Sequence, residues 1–251
     1  MKPILILDFD GVIVDSTEEC AVVAWNAWLK YNHQPGSVRL PEQIPDSPLN
    51  KLRYLRNYVK TAGEYLVIFN SDKNGVDVDS QTDYDKIVAD AGKDISDFAS
   101  YVFSERETLR QNEHNHWVNL HTIYSGVGNQ LKKIWDHFDV YVVTGKDKET
   151  VLTFYKALNL PLKKEHVFDK DAGKQKLQII RDLAGEKGVP LSKVVFVDDN
   201  VMHLLPLKNA GCRVLMAEWG YHTDEHLVIA KSNGMRLIKI PEMAEAIMQA
   251  L

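Results

Sequence analysis

Polar side chains stand where apolar runs of this chain stop. Asp8 and Asp10 follow Ile4-Leu5-Ile6-Leu7, Thr144 and Gly145 follow Val140-Tyr141-Val142-Val143, and Asp198 and Asp199 follow Val194-Val195-Phe196-Val197. Lys174 lies between the last two groups, at the start of a predicted helix. These residue types suit phosphoryl transfer. A carboxylate such as Asp8 can attack phosphorus as a nucleophile. Asp10, two positions on, can protonate the leaving alcohol and then deprotonate water. Thr144 can hydrogen-bond a phosphoryl oxygen through its hydroxyl and backbone, with Gly145 beside it. Lys174 and a hard cation can balance the negative charge of the transferring group. A carboxylate-rich site of this kind suits Mg²⁺, with Asp8, Asp10, Asp198 and Asp199 as candidate ligands.

These residues need elements that bring them together. Pro3 to Leu7 is apolar on both faces, the pattern of a strand in a parallel sheet covered on both sides. Further strands are expected at 140–143, 167–168, 193–197, 213–217 and 236–240. Helices are expected between them, at 127–138, 148–158, 174–185 and 201–210, and one opening at Pro241. This alternation predicts an α/β fold, a doubly wound, Rossmann-like parallel sheet. Ligands of such sheets bind at the carboxyl ends of the strands, where the polar groups stand. Residues 16–121 are mostly helical in pattern and read as an insertion after the first strand. Within them, residues 33–48 carry five Pro and Gly residues and read as a loop, as does the polar stretch 70–85. Helices are expected at 49–62, 84–91 and 95–112.

Asp8-Phe9-Asp10-Gly11-Val12-Ile13-Val14-Asp15-Ser16 resembles motif one of the haloacid dehalogenase-like hydrolase superfamily. Val142-Val143-Thr144-Gly145 resembles motif two, Lys174 motif three (preferred over the neighbouring Lys170 and Lys176 for its place at the helix start), and Phe196-Val197-Asp198-Asp199-Asn200 motif four. Ala217-Glu218-Trp219-Gly220-Tyr221 is similar to a segment often found after motif four. The resemblance covers about half the chain. It implies a catalytic core of residues 1–15 and 122–251 and a helical cap of residues 16–121. It also implies a nucleophilic, metal-binding Asp8 and an acid/base Asp10 whose carbonyl faces Mg²⁺. Thr144 and Lys174 would hold the phosphoryl group, Asp199 would bind metal, and Asp198 would be a second ligand or an outer partner. The family often has an acidic residue four positions after that aspartate; here it is His203.

Composition bounds the partners. The chain has 251 residues, 45% of them hydrophobic and 26% charged, with a net charge of -5. It can bury a core without metal or disulfide staples. No basic stripe points to nucleic acid, and no run of about 18 apolar residues spans a membrane. Cys20 and Cys212 are far apart, which fits a reduced, cytoplasmic protein. Histidines 114, 116 and 121, and Arg53, Arg56 and Lys60, read as solvated faces. Residues 70–75 resemble half a calcium loop, but the closing glutamate is missing. The expected function is Mg²⁺-dependent hydrolysis of a small phosphorylated metabolite such as phosphoglycolate or a sugar phosphate. Rival readings are a phosphomutase and a non-catalytic phosphate-binding protein on the same fold.

Overall fold

A computed structural model describes residues 2–251; Met1, where the predicted core begins, lies outside them. The chain opens with β1 (Ile4–Leu7) and a short β2 (Val14–Asp15). Helices α1 (Thr17–Tyr31), α2 (Asp46–Leu55), α3 (Tyr65–Lys73), α4 (Gln81–Ala91), α5 (Lys93–Asn112) and α6 (His114–Asn119) follow. After β3 (Thr122–Ile123) come α7 (Val127–Ile134), β4 (Asp139–Val143), α8 (Lys148–Ala157), β5 (Val167–Phe168) and α9 (Lys176–Glu186). The chain ends with β6 (Val194–Asp198), α10 (Val201–Asn209), β7 (Arg213–Ala217), α11 (Asp224–Ser232), β8 (Arg236–Ile238) and α12 (Met243–Gln249).

The larger sheet has the order β5-β4-β1-β6-β7-β8, and its pairs are parallel. The protein is thus an α/β fold of the Rossmann-like kind. β1 lies in the middle because its four apolar residues bury both faces, each at most 1% exposed. Each such side chain contributes roughly 1.5–3 kcal/mol when taken fully out of water. The register sets Leu7 beside Val142 of β4 and Val197 of β6. The chain winds outward through β4 and β5 on one side of β1, then returns to β6, β7 and β8 on the other. A crevice forms where the winding reverses, at the carboxyl ends of β1, β4 and β6.

Among the described residues, two compact units are present, residues 2–15 with 123–251, and residues 16–122. In the second, Ala21, Ala24 and Ala27 of α1 share a core with Leu52, Leu55, Phe69, Phe98 and Val102. It also holds a buried ion pair. Arg106 Nε donates to Glu19 Oε1 at 2.6 Å, with both side chains at most 5% exposed. His121 Nδ1 donates to the Trp117 carbonyl at 2.9 Å, and its Nε2 lies 4.0 Å from Glu19 Oε2.

His121 is buried beside Glu19, not solvated, and Arg56 is buried with its guanidinium 6.0 Å above the Tyr65 ring. Residues 70–73 belong to α3, because five preceding buried apolar residues carry the helix through its polar end. α4 starts at Gln81, where the Ser80 hydroxyl caps it by accepting from the Asp83 N–H at 3.1 Å. α2 starts at Asp46 and takes Pro48 into its first turn, where its missing N–H costs nothing. α11, which has no strong apolar stripe, was not expected at all. α9 begins at Lys176, not Lys174: Gly173 is left-handed (φ +64°) and Gln175 is the residue before the helix. Among the described residues, no helix is long and apolar enough to cross a membrane.

Candidate active site

β1 ends in Asp8, whose N–H donates to the Val197 carbonyl at 2.9 Å. That bond continues the parallel ladder by one residue and sets Asp8 beside Asp198, the last residue of β6. Both are buried, at 7% and 0% exposure. Two carboxylates this close need a cation between them, and Lys176 supplies it. Its Nζ donates to Asp8 Oδ2 at 2.8 Å and to Asp198 Oδ2 at 2.7 Å. The lysine also reaches His203 Nδ1 at 3.2 Å.

Lys176 therefore stands where Lys174 was expected. Lys174 is on the surface, paired with Asp182 at 2.7 Å, and reaches none of the strand-tip residues. The physical reason is the two-residue shift in the start of α9: the first helical residue is the one turned back toward the strand tips.

The remaining oxygens are also held. Asp8 Oδ1 accepts the Phe9 N–H at 2.7 Å, and Asp198 Oδ1 accepts the Asn200 N–H at 2.8 Å. Burial raises the Asp8 carboxyl above its usual range, with Lys176 opposing and Asp198 adding to the rise. Burial acts in the same direction on Asp198, but the Lys176 ammonium outweighs it, and the carboxyl lies well below its ordinary value. Burial alone would lower Lys176; Asp198 and Asp8 more than reverse it and hold the ammonium above its usual range.

Beyond Asp8 the chain turns sharply, with Gly11 N–H donating to the Val14 carbonyl at 2.9 Å. Gly11 has φ +79°, and a Cβ there would lie 2.0 Å from Asp199 Oδ2. Only glycine fits, for both reasons. Asp199 is 3% exposed, and its Oδ2 accepts the Tyr221 N–H at 2.5 Å.

Asp10 has a counter-charge that sequence reasoning missed. Lys146 is 1% exposed, and its Nζ lies 3.6 Å from Asp10 Oδ1. Its N–H also donates to Thr144 Oγ1 at 3.2 Å. A lysine two residues beyond the polar end of an apolar strand was the available signal, since a buried lysine needs an acidic partner. Thr144 is buried, with its N–H on the Phe168 carbonyl at 3.0 Å. Gly145 is exposed, with no atom within 4 Å of where a Cβ would stand.

The donor chemistry fits a hard divalent cation. Four carboxylates (Asp8, Asp10, Asp198 and Asp199) meet two lysines, an excess of negative oxygen ligands. Oxygens of Asp8 and Asp198 and a ring nitrogen of His203 lie within 4.8 Å of one another, close enough to hold an ion. Lys176 Nζ, however, is within hydrogen-bond distance of all three, so this trio seats the ammonium.

A family model described as haloacid dehalogenase-like hydrolase matches residues 3–211. No curated protein sequence is significantly similar to the chain. Among solved structures, a predicted phosphoglycolate phosphatase from Haemophilus somnus 129PT is 15% identical with a TM-score of 0.64, covering 98% of this chain and 97% of that one. A predicted phosphatase from Clostridium acetobutylicum is 14% identical with a TM-score of 0.62 and covers 99% of both chains. A haloacid dehalogenase-like hydrolase from Streptococcus pneumoniae is 15% identical with a TM-score of 0.59 and covers 98% of both.

Proposed function

We propose that this chain, which belongs to the haloacid dehalogenase-like hydrolase family, is a Mg²⁺-dependent phosphatase of small phosphorylated metabolites. The observation that carries the reading is the pairing of Asp8 with Lys176 at 2.8 Å, at the tip of the central strand. The Lys176 ammonium opposes the rise that burial imposes on the Asp8 carboxyl and so favours the carboxylate form a nucleophile needs. Relatives named as phosphatases support the same reading, and phosphoglycolate is the first substrate to test.

In this mechanism Asp8 attacks phosphorus and the ester oxygen leaves, taking a proton from Asp10. The product is an alcohol and an aspartyl phosphate on Asp8. Asp10, now a carboxylate, takes a proton from water. The hydroxide attacks phosphorus, and inorganic phosphate departs as Asp8 is restored. Lys176 and Lys146 lower the energy of the negative charge that spreads over the phosphoryl oxygens. Thr144 and the open backbone at Gly145 hydrogen-bond those oxygens. Mg²⁺, held by Asp8, Asp10 and Asp199, would supply further charge neutralisation when bound. Residues 16–122 occupy the place in the chain where the family carries a cap, and we assign them that role.

The test is phosphate release from phosphoglycolate, a panel of sugar phosphates and an aryl phosphate, with Mg²⁺ and with EDTA. Release that requires Mg²⁺ is expected. No release from any substrate sinks the phosphatase reading, and full activity in EDTA sinks the metal.

A further inference from the structure

Beyond β7, three consecutive residues each grip a different part of the site. Trp219 donates its indole N–H to the Val12 carbonyl at 3.1 Å. Gly220 packs so closely that a Cβ there would lie 2.3 Å from Asp199 Cβ and 2.4 Å from the Gly11 carbonyl oxygen. Tyr221 donates twice, from its backbone N–H to Asp199 Oδ2 at 2.5 Å and from its hydroxyl to Asp15 Oδ1 at 2.8 Å. Asp15 closes β2 and is the last residue of the sheet unit before the chain leaves it.

We propose that Tyr221 is a positioning residue for the cation-binding carboxylate, tying Asp199 to Asp15. The inference rests on the assignment of Asp199 to Mg²⁺ made above. The backbone N–H at 221 restrains the rotation of the Asp199 carboxylate only if the loop that carries it is itself fixed. The tyrosine hydroxyl fixes it beside residue 221, because a charge-assisted bond to Asp15 adds a second anchor to the β1–β2 segment next to the Trp219–Val12 bond. That segment also carries Asp8, Asp10 and Gly11. Tyr221 therefore touches both halves of the proposed cation site, Asp199 through its backbone and the β1–β2 segment through its side chain. Outer partners of this kind orient the ligands they touch and set metal affinity without touching the metal.

The experiment is calorimetric titration of the full chain with MgCl₂, independent of any substrate. Tyr221→Phe keeps the ring and the backbone N–H and removes only the hydroxyl. Its Mg²⁺ affinity is expected to fall about 10-fold. Asp15→Ala should fall equally, and the double variant no further, since both remove one interaction. Asp15→Asn keeps an accepting Oδ1 but loses the charge, and should fall between wild type and Asp15→Ala, which separates the hydrogen bond from its charge assistance. A purely structural tyrosine would lower the melting temperature in EDTA and leave Mg²⁺ affinity alone. Wild-type affinity in Tyr221→Phe overturns the proposal while leaving the Mg²⁺ reading intact. A wild-type protein that binds no Mg²⁺ overturns both.

Discussion

Lys176 Nζ and Asp8 Oδ2 lie 2.8 Å apart although 168 positions separate the two residues. The contact joins the first residue of α9 to the tip of β1, and it assigns the site lysine by geometry. Lys176→Met is expected to lower kcat for phosphate release by about 10²–10³-fold, the usual loss for one transition-state donor. Lys174→Met should change it by less than about twofold, as an exposed substitution away from the site. A large loss in the Lys174 variant with an active Lys176 variant would reverse the assignment.

Asp8 and Asp10 are asked to do different chemistry, and the two steps of the proposed reaction tell them apart. Asp8→Asn should abolish turnover while the fold survives, as seen in an unchanged circular dichroism spectrum. Asp10→Asn should slow both formation and hydrolysis of the aspartyl phosphate by about 10²–10⁴-fold. Rapid-quench trapping of phosphoprotein reads the first step directly. An Asp8→Asn protein that still releases phosphate at the wild-type rate excludes Asp8 as nucleophile.

The buried pair should leave a mark on the pH dependence of stability when metal is removed. Asp198 has a lowered folded value, so its stabilisation is present above the unfolded value of about 3.9 and lost as pH falls toward the folded one. Lys176 has a raised folded value, so its contribution is present below about 10.4 and lost as pH climbs through the folded value. Asp8 works with the opposite sign, because its folded value is raised and ionising it in the fold costs stability. Asp198→Asn leaves a buried ammonium short of a partner and should cost about 3–5 kcal/mol near neutral pH. Urea unfolding in EDTA between pH 3 and 7 checks the sign, since that difference should shrink below about pH 4. A constant difference contradicts the lowered carboxyl.

Close packing around Asp199 gives a steric prediction. Gly220→Ala must push against Asp199 and the Gly11 carbonyl, and should cost about 1–3 kcal/mol along with most of the phosphate release. Gly185→Ala lies in α9 with no atom within 4 Å of the new methyl, and should be neutral or stabilise by up to about 1 kcal/mol. Equal melting temperatures for wild type and Gly220→Ala would mean that the loop gives way freely.

The apolar runs 4–7, 140–143 and 194–197, with Asp8, Asp10, Thr144, Asp198 and Asp199 at their ends, are readable from the chain alone. A strand buried on both faces must be apolar throughout, and the residue that ends it must be the one that meets solvent or ligand. That local rule is enough to specify the α/β sheet and the residue types at its carboxyl edge. It does not say which lysine arrives there. Lys174 and Lys176 are chemically identical, and a two-residue shift in the start of α9 decides which one meets Asp8 and Asp198. Lys146 against Asp10, Tyr221 between Asp199 and Asp15, and the burial of His121 beside Glu19 were likewise decided only in three dimensions. Apolar patterning is written along the chain at short range. Ion pairs and close packing depend on strand register and loop placement, which bring distant residues together only after the chain has folded.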